Sequence, residues 1–450
     1  MDASQLNWLT ASDVARAIRD GAISSEQLVE ACLARVRDSE PAVQAWQHLD
    51  LEHALAQARA RDEERSAGRP VGPLHGVPVG IKDIFDTCDM PTEDGSVLHA
   101  GRTPATDAAA VALLRAAGAV IMGKTVTTEF AAYTPGKTRN PRNAAHTPGG
   151  SSSGSAAAVA AGMVPVALGS QTNGSTIRPA SFCGVFGFKP SHGLVPRSGI
   201  LRLSRTLDQV GVFARSLEDL ALTCEQIAGY HEADPDTRPR ARAQLLGVLG
   251  QDPPFPPTFA WVRTPMWESV DADAKEAFAE LTGHLGGQIV DFELPQSALA
   301  ALEWHRTIME AEMAANLDRE YQAGRDRLSE PLRAQLERGR AVTALEYQRA
   351  LARISPLNEG FDELFERCDA ILTPAAPGTA PLGLESTGSP AFCTLWTLCG
   401  MPALSLPLMQ GANGLPLGVQ LVGARGGDAR LLRTARWLLE RTSGGADRPQ

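Results

Sequence analysis

The sequence predicts an α/β fold, with a largely parallel sheet covered by helices. Two patterns lead there. From residue 107 to 188, apolar stretches of strand length alternate with Ala- and Leu-rich stretches of helical period, the pattern that lays helices on the faces of a sheet. Strand-like runs then return at AILTPAAP and within 396–423 after a long helical stretch, so both ends of the chain are expected to build one sheet. A single unit spanning 1–450 follows: a core over about 70–215, a helical insertion over about 231–365 that covers the site, and a return to the core over 369–441.

In chain order, 12–36 reads as two helices. Ser12 caps the first and Gly21 stops it; Ser25 caps the second, with Leu28, Cys32, Leu33 and Val36 on one face. Residues 51–66 form a charged, solvated helix. GPLHGVPVGIKD is a turn and a short strand. Asp107 starts a helix that stops near Gly118, and AVIMGKT follows as a buried strand. The alternation continues through 155–162, 164–168 and 184–188. Ser216 caps SLEDLALTCEQIAG, with Asp219 close to capping-box spacing. The Pro-, Arg- and Asp-rich stretch 231–260 reads equally as a domain boundary or a surface excursion. Residues 270–365 are mostly helical, with one strand at QIVDFELP, and the tail TSGGADRPQ is expected to be disordered.

Composition narrows the class. Hydrophobic residues are 43% and charged residues 21%, as in soluble globular proteins. The net charge of −10 argues against a nucleic-acid surface, which wants a basic face. Seven scattered cysteines without CxxC pairs give neither a disulfide framework nor a zinc pattern and suit a reducing compartment. The start MDASQLNWLTASD lacks the basic and apolar regions of a secretory leader. No apolar run reaches the roughly 18 residues of a membrane span. A cytoplasmic location, no membrane association, no metal and no cofactor are expected.

The chemistry concentrates in the run GGSSSGSAAAVAAGMVPVALGSQTNGS from Gly149 to Ser175, and in Lys82 of GVPVGIKDIFD. Two serines on turns and a lysine at a strand end are what a serine hydrolase needs when lysine is its base. Ser175 lies on a Gly-containing turn, which exposes Oγ and aims backbone N–H groups at one point. A plain strand-ending turn is the ordinary alternative. Ser151 opens a Gly/Ser loop that runs into a helix; a phosphate loop would end in GK[ST], absent here. A poorly solvated Lys82 would lose basicity and accept a proton near neutral pH; an ion pair with Asp83 or Asp86 is the structural alternative. His75, His146 and His192 lie near these motifs, but none has a GxSxG context or a suitably ordered acid, so a histidine base is disfavoured. His146 is expected beneath the serine loop.

GIKDIFDT at 80–87, TPGGSSSGSAAAVAAG at 147–162, QTNGSTIRPASFCGVFGFKPS at 171–191, LWTLCGMPALSLPL at 395–408 and GLPLGVQLVG at 414–423 together resemble the amidase signature family. The resemblance implies a large mixed, mostly parallel sheet sandwiched between helical layers. It also implies cleavage of a carboxamide C–N bond through a Ser–Ser–Lys triad and an acyl-enzyme. The triad would be Lys82, Ser151 (preceded in the family by a cis peptide) and Ser175. Backbone N–H groups of Thr172, Asn173, Gly174 and Ser175 would form the oxyanion hole, and Asp83 would support the loop. Arg178, Ser152 and Gln171 are the substrate-side candidates. Arg178 reads evenly as a hydrogen-bond hub or as a bidentate partner for a substrate carboxylate.

The family's turn usually has two glycines before the serine; here it has Asn173-Gly174, and Asn tolerates a left-handed backbone. The STIRPA arrangement is closer to the malonamidase-like branch than to the A subunits of tRNA amidotransferases. An amidase acting on a small-molecule amide is therefore the main reading, with homodimers common in the family. The glutamine-hydrolysing A subunit of a tRNA-dependent amidotransferase is the first alternative, and a non-catalytic binding protein on the same fold the second. Phe130, Tyr133, Trp304, Met309 and 392–399 are the expected pocket residues.

Overall fold

The computed structural model describes residues 3–442; the tail expected to be disordered lies, but for its first residue, outside them. Eleven strands form one sheet: β1 (Trp46–Leu49), β2 (Pro78–Lys82), β3 (Val120–Thr125), β4 (Val166–Gln171), β5 (Phe186–Lys189), β6 (Gln209–Ala214), β7 (Phe259–Val262), β8 (Ile289–Phe292), β9 (Ala370–Pro374), β10 (Ala403–Gln410) and β11 (Pro416–Val422). Their spatial order is β1-β3-β2-β4-β6-β5-β10-β11-β9-β7-β8. The sheet is mixed. β2 runs parallel to β3 and β4, and β7 parallel to β8 and β9. The middle, from β4 through β6, β5, β10 and β11 to β9, is antiparallel. Every residue of β2, β3, β4 and β6 is buried, which is why these strands read as unbroken apolar runs rather than alternating ones.

Most elements lie where the sequence puts them, with shifted caps. Thr10, not Ser12, caps Ala11–Arg19, and Ser24, not Ser25, caps Ser25–Val43 in a full capping box with Gln27. Both predicted caps are inside the helix because the preceding hydroxyl already reaches the free N–H groups. The helix expected from Asp107 begins at Ala109 without a side-chain cap; Asp107 instead accepts from Cys88 N–H and pairs with Arg115. Ser216 caps Leu217–Ile227 as expected. The stretch 231–260 ends in β7, which enters the sheet beside β9, so it bounds no separate sheet. The insertion 231–365 is accordingly not wholly helical: it supplies β7 and β8 at the sheet edge, with the helix Ala272–Leu285 between them, before the run of helices from Ala301–Asn316 through Ile354–Leu364. No helix among the described residues is long and apolar enough to cross a membrane.

A buried carboxylate ties the first helix to the core. Asp219 accepts from the N–H groups of Ala11 (2.8 Å) and Ser12 (2.9 Å) and from the Ser12 hydroxyl. Asp219→Ala leaves these donors unpaired and should lower unfolding stability by about 2–4 kcal/mol, read as a lower urea midpoint with unchanged slope.

Candidate active site

The parallel block β3-β2-β4 brings the candidate residues to one end of the sheet. Lys82 is the last residue of β2, at the carboxyl end of a strand, where open α/β sheets collect their ligands. Ser151 stands two residues before the helix Ser153–Ala160, and Ser175 stands between β4 and the helix Ile177–Cys183. The Gly150–Ser151 peptide is cis. Lys82 Nζ lies 2.7 Å from Ser151 Oγ and 2.8 Å from Ser170 Oγ, and the side chain is wholly buried. Burial lowers its pKa to about 7, only partly opposed by the charge of Asp208. The acids the sequence offered as ion-pair partners are engaged elsewhere: Asp83 faces Lys124 at 3.3 Å and Asp86 pairs with Arg102. The Ser175 hydroxyl makes no hydrogen bond among the described residues.

The turn 172–175 presents its N–H groups without internal acceptors. Three of its carbonyls are held from outside: Thr172 O accepts from His305 Nε2 (2.9 Å), Asn173 O from Thr397 Oγ1 (2.6 Å) and Gly174 O from the Arg178 N–H (3.1 Å). Asn173 does not adopt the left-handed backbone its residue type allows. Its side chain is clasped instead, donating to Tyr133 Oη (2.9 Å) and accepting from Thr394 Oγ1 (2.7 Å). Glycine at 174 answers a close approach, since a Cβ there would stand 2.9 Å from Pro390 Cβ and 3.2 Å from Cys393 Sγ.

The substrate-side candidates fall differently. Gln171 is fully buried; its Oε1 accepts from the N–H groups of Thr176 and Ile177 and its Nε2 donates to Thr397. It caps the helix behind Ser175 from below. Ser152 exchanges two hydrogen bonds with the backbone of Ser170. With their polar atoms committed inside the protein, both are supports rather than substrate contacts. Arg178 is 1% exposed; Nη2 donates to Gly150 O (2.6 Å) and Thr387 Oγ1 (3.1 Å), while Nε and Nη1 have no partner. Among the described residues no carboxylate pairs with it, and burial holds its pKa below the usual guanidinium range.

Beside the turn lies a cavity of about 560 Å³ lined by Tyr133, Asn173, His305, Met309, Gln335 and Thr394, among others. Glu310 and Arg338 close one wall as an ion pair at 2.6 Å, and the buried Gln335 Oε1 lacks a partner. Phe130 and Trp304 do not line it: Phe130 is buried edge-on against His99, and Trp304 lies under Arg353. His146 donates to Ala380 O, His75 bonds Arg61 O, and His192 contacts Arg197 and Arg205; none bonds Ser151 or Ser175. Ser170, Asp208 and His305 escaped the sequence reading, and Thr394 and Thr397 were expected only as part of the pocket segment 392–399. Of the first three, only Ser170, inside the motif run, carried a local signal. Cys88, Asp89 and Asp107 are the one grouping with metal-ligand spacing among the described residues, and both carboxylates already pair with Arg115.

A buried lysine against one serine, with a second serine on a turn of free N–H groups, is the arrangement of a serine hydrolase that uses lysine as its base. The Amidase family model matches residues 27–432, and the chain belongs to the amidase family; it is an enzyme acting on C–N bonds of amides. The A subunit of the glutamyl-tRNA(Gln) amidotransferase from Chloroflexus aggregans is 36% identical, over 96% of each chain. Among solved structures, the peptide amidase of Stenotrophomonas maltophilia is similar at 31% identity and TM-score 0.83, over 96% of each chain. A chain from an inhibitor-bound vestigial complex tied to the origins of an s-triazine catabolic enzyme has TM-score 0.90 and 27% identity, over 97% of this chain and 99% of that one.

The lysine leaves a thermodynamic mark. Between the folded pKa of about 7 and the ordinary 10.5, the unfolded chain holds a proton the folded chain lacks. Stability therefore gains about 1.4 kcal/mol per pH unit from this group as pH rises from 7 to 10. Lys82→Met should remove that slope, measured as the wild-type-minus-variant difference in urea unfolding free energy across that range.

Proposed function

We propose that this chain releases ammonia from a carboxylate-bearing carboxamide through Lys82, Ser151 and Ser175. Neutral Lys82 takes a proton from Ser151 as Ser151 takes that of Ser175. Ser175 Oγ bonds to the amide carbon, and the oxyanion is met by the N–H groups of Asn173, Gly174 and Ser175, with Thr172 beside them. Collapse breaks the C–N bond, and the relayed proton returns through Ser151 to the leaving nitrogen. Water then attacks the acyl-enzyme by the same route, giving carboxylate and free Ser175. The observation that carries this reading is the solvent-free lysine 2.7 Å from Ser151, which forms no ion pair among the described residues. The half-unpaired Arg178 supports an anionic substrate, because an anionic oxygen reaching Nε or Nη1 would satisfy a donor left open.

Two contexts fit this chemistry. The STIRPA spacing favours a free-standing amidase. Similarity over nearly the whole chain to an amidotransferase component favours a glutamine-hydrolysing member of a complex, and it is the broader of the two observations. Ammonia release is measured on paired amides, such as malonamate and its neutral analogue, and on glutamine, with Ser175→Ala as blank. Carboxylate-bearing amides should exceed neutral ones by at least about tenfold. Glutamine turnover only in the presence of a second protein of such a complex would select the amidotransferase context. Equal rates on neutral amides would leave Arg178 a structural hub.

Since the base must be neutral, kcat/KM should climb with pH through an apparent pKa near 7, set by burial of Lys82. Lys82→Ala and Ser175→Ala should each abolish turnover with the fold intact, and a fluorophosphonate probe should label Ser175 alone. Near-wild-type activity in Ser175→Ala would overturn the assignment.

A further inference from the structure

The nucleophile turn is shaped by groups that make or break no bond and relay no proton in the proposed reaction. A trans peptide unit is planar, with its C=O and its following N–H pointing in opposite directions. Among the described residues only Gly150–Ser151 is cis, so fixing one carbonyl of the turn fixes the direction of the next residue's N–H. Thr172 O is held by His305 Nε2, 133 residues away in the helix Ala301–Asn316 of the insertion. Asn173 O is held by Thr397 Oγ1, 224 residues away in the helix Ala391–Leu398. The N–H groups paired with these carbonyls are those of Asn173 and Gly174.

We infer that His305 and Thr397 are positioning residues of the oxyanion hole, each aiming one N–H donor by gripping the carbonyl of the same peptide unit. This rests on the reading of Ser175 as nucleophile. The chemistry of each grip is defined. A carbonyl only accepts, so His305 must carry its proton on Nε2. Its buried ring, 1% exposed, has its pKa pushed down to about 4, so the neutral ring persists across the working pH range. Thr397 is oriented in turn by Gln171 Nε2, which donates to its Oγ1 at 2.9 Å. Gln171 therefore serves both the helix start behind Ser175 and the grip on Asn173. The third unit is set locally, because the Arg178 N–H holds Gly174 O and so directs the Ser175 N–H. The insertion helix is fastened near the same place by Glu312, which accepts from Thr206 and from Tyr347 Oη (2.6 Å), and by Asn316, which donates to Leu203 O.

The test compares His305→Met, which keeps bulk and loses the donor, with His305→Gln, whose amide nitrogen replaces Nε2, and Thr397→Val with Thr397→Ser. Each is assayed for kcat and KM on the best amide of the panel. Each is also assayed for inhibition by an alkylboronic acid, which forms a tetrahedral adduct on a nucleophilic serine. The donor-deleting variants should lose about 10- to 100-fold in kcat with KM within about twofold, and boronate affinity should fall in parallel. The donor-keeping variants should recover most of both. Unchanged kcat in His305→Met and Thr397→Val, or loss that Gln and Ser fail to restore, would overturn the inference. Ser175→Ala runs alongside: if it stays active, the nucleophile assignment falls, whereas an inert Ser175→Ala with fully active His305→Met defeats the positioning roles alone.

Discussion

Everything at the candidate site depends on keeping one lysine out of water and away from carboxylates. Lys82 ends a strand flanked on both sides by parallel neighbours and buried along its length, so no solvent path stabilises its charge. Its two near partners are hydroxyls, which solvate an amine without fixing a proton on it. Lys124, equally buried, shows the contrast: it faces Asp83 and bonds Thr92 and two backbone carbonyls. The same side chain in the same sheet thus becomes a structural cation or a candidate base, according to whether an acid stands beside it.

The second constraint is that a turn of four residues cannot hold its own shape. Gln171 caps it from below, Thr397 and His305 hold its carbonyls from the sides, and Tyr133 and Thr394 clasp Asn173. These groups come from separate stretches of chain. The insertion is therefore more than a cover over a finished centre; its helix Ala301–Asn316 is part of the frame that the turn leans on.

That distribution explains what could be read from the sequence. Elements with local causes were legible: capped helices within a residue or two, and β2, β3 and β4 from their apolar runs. β7 was hidden because prolines crowd its approach and one of its two pairing partners, β9, lies over a hundred residues on. Residue identity marked Lys82 and, in the motif run, Ser151 and Ser175 as candidates, yet adjacency misled for Gln171 and Ser152. Successive strand residues leave on opposite faces, so Ser170 reaches Lys82 while its neighbour turns beneath the loop. His305 had no local mark at all, and Thr397, though inside the expected pocket segment, had none for its grip, since what distinguishes both is a carbonyl more than a hundred residues away.

The order of strands has a consequence for how the protein is made. β5 ends at Lys189, but its partner β10 begins at Ala403, after more than two hundred further residues have left the ribosome. Until then the segment bearing Lys82, Ser151 and Ser175 has an open antiparallel edge at β5, the kind of edge that pairs with foreign strands. Sheets that await distant partners close slowly, so the nascent amino-terminal half is the form of this chain with most need of a chaperone.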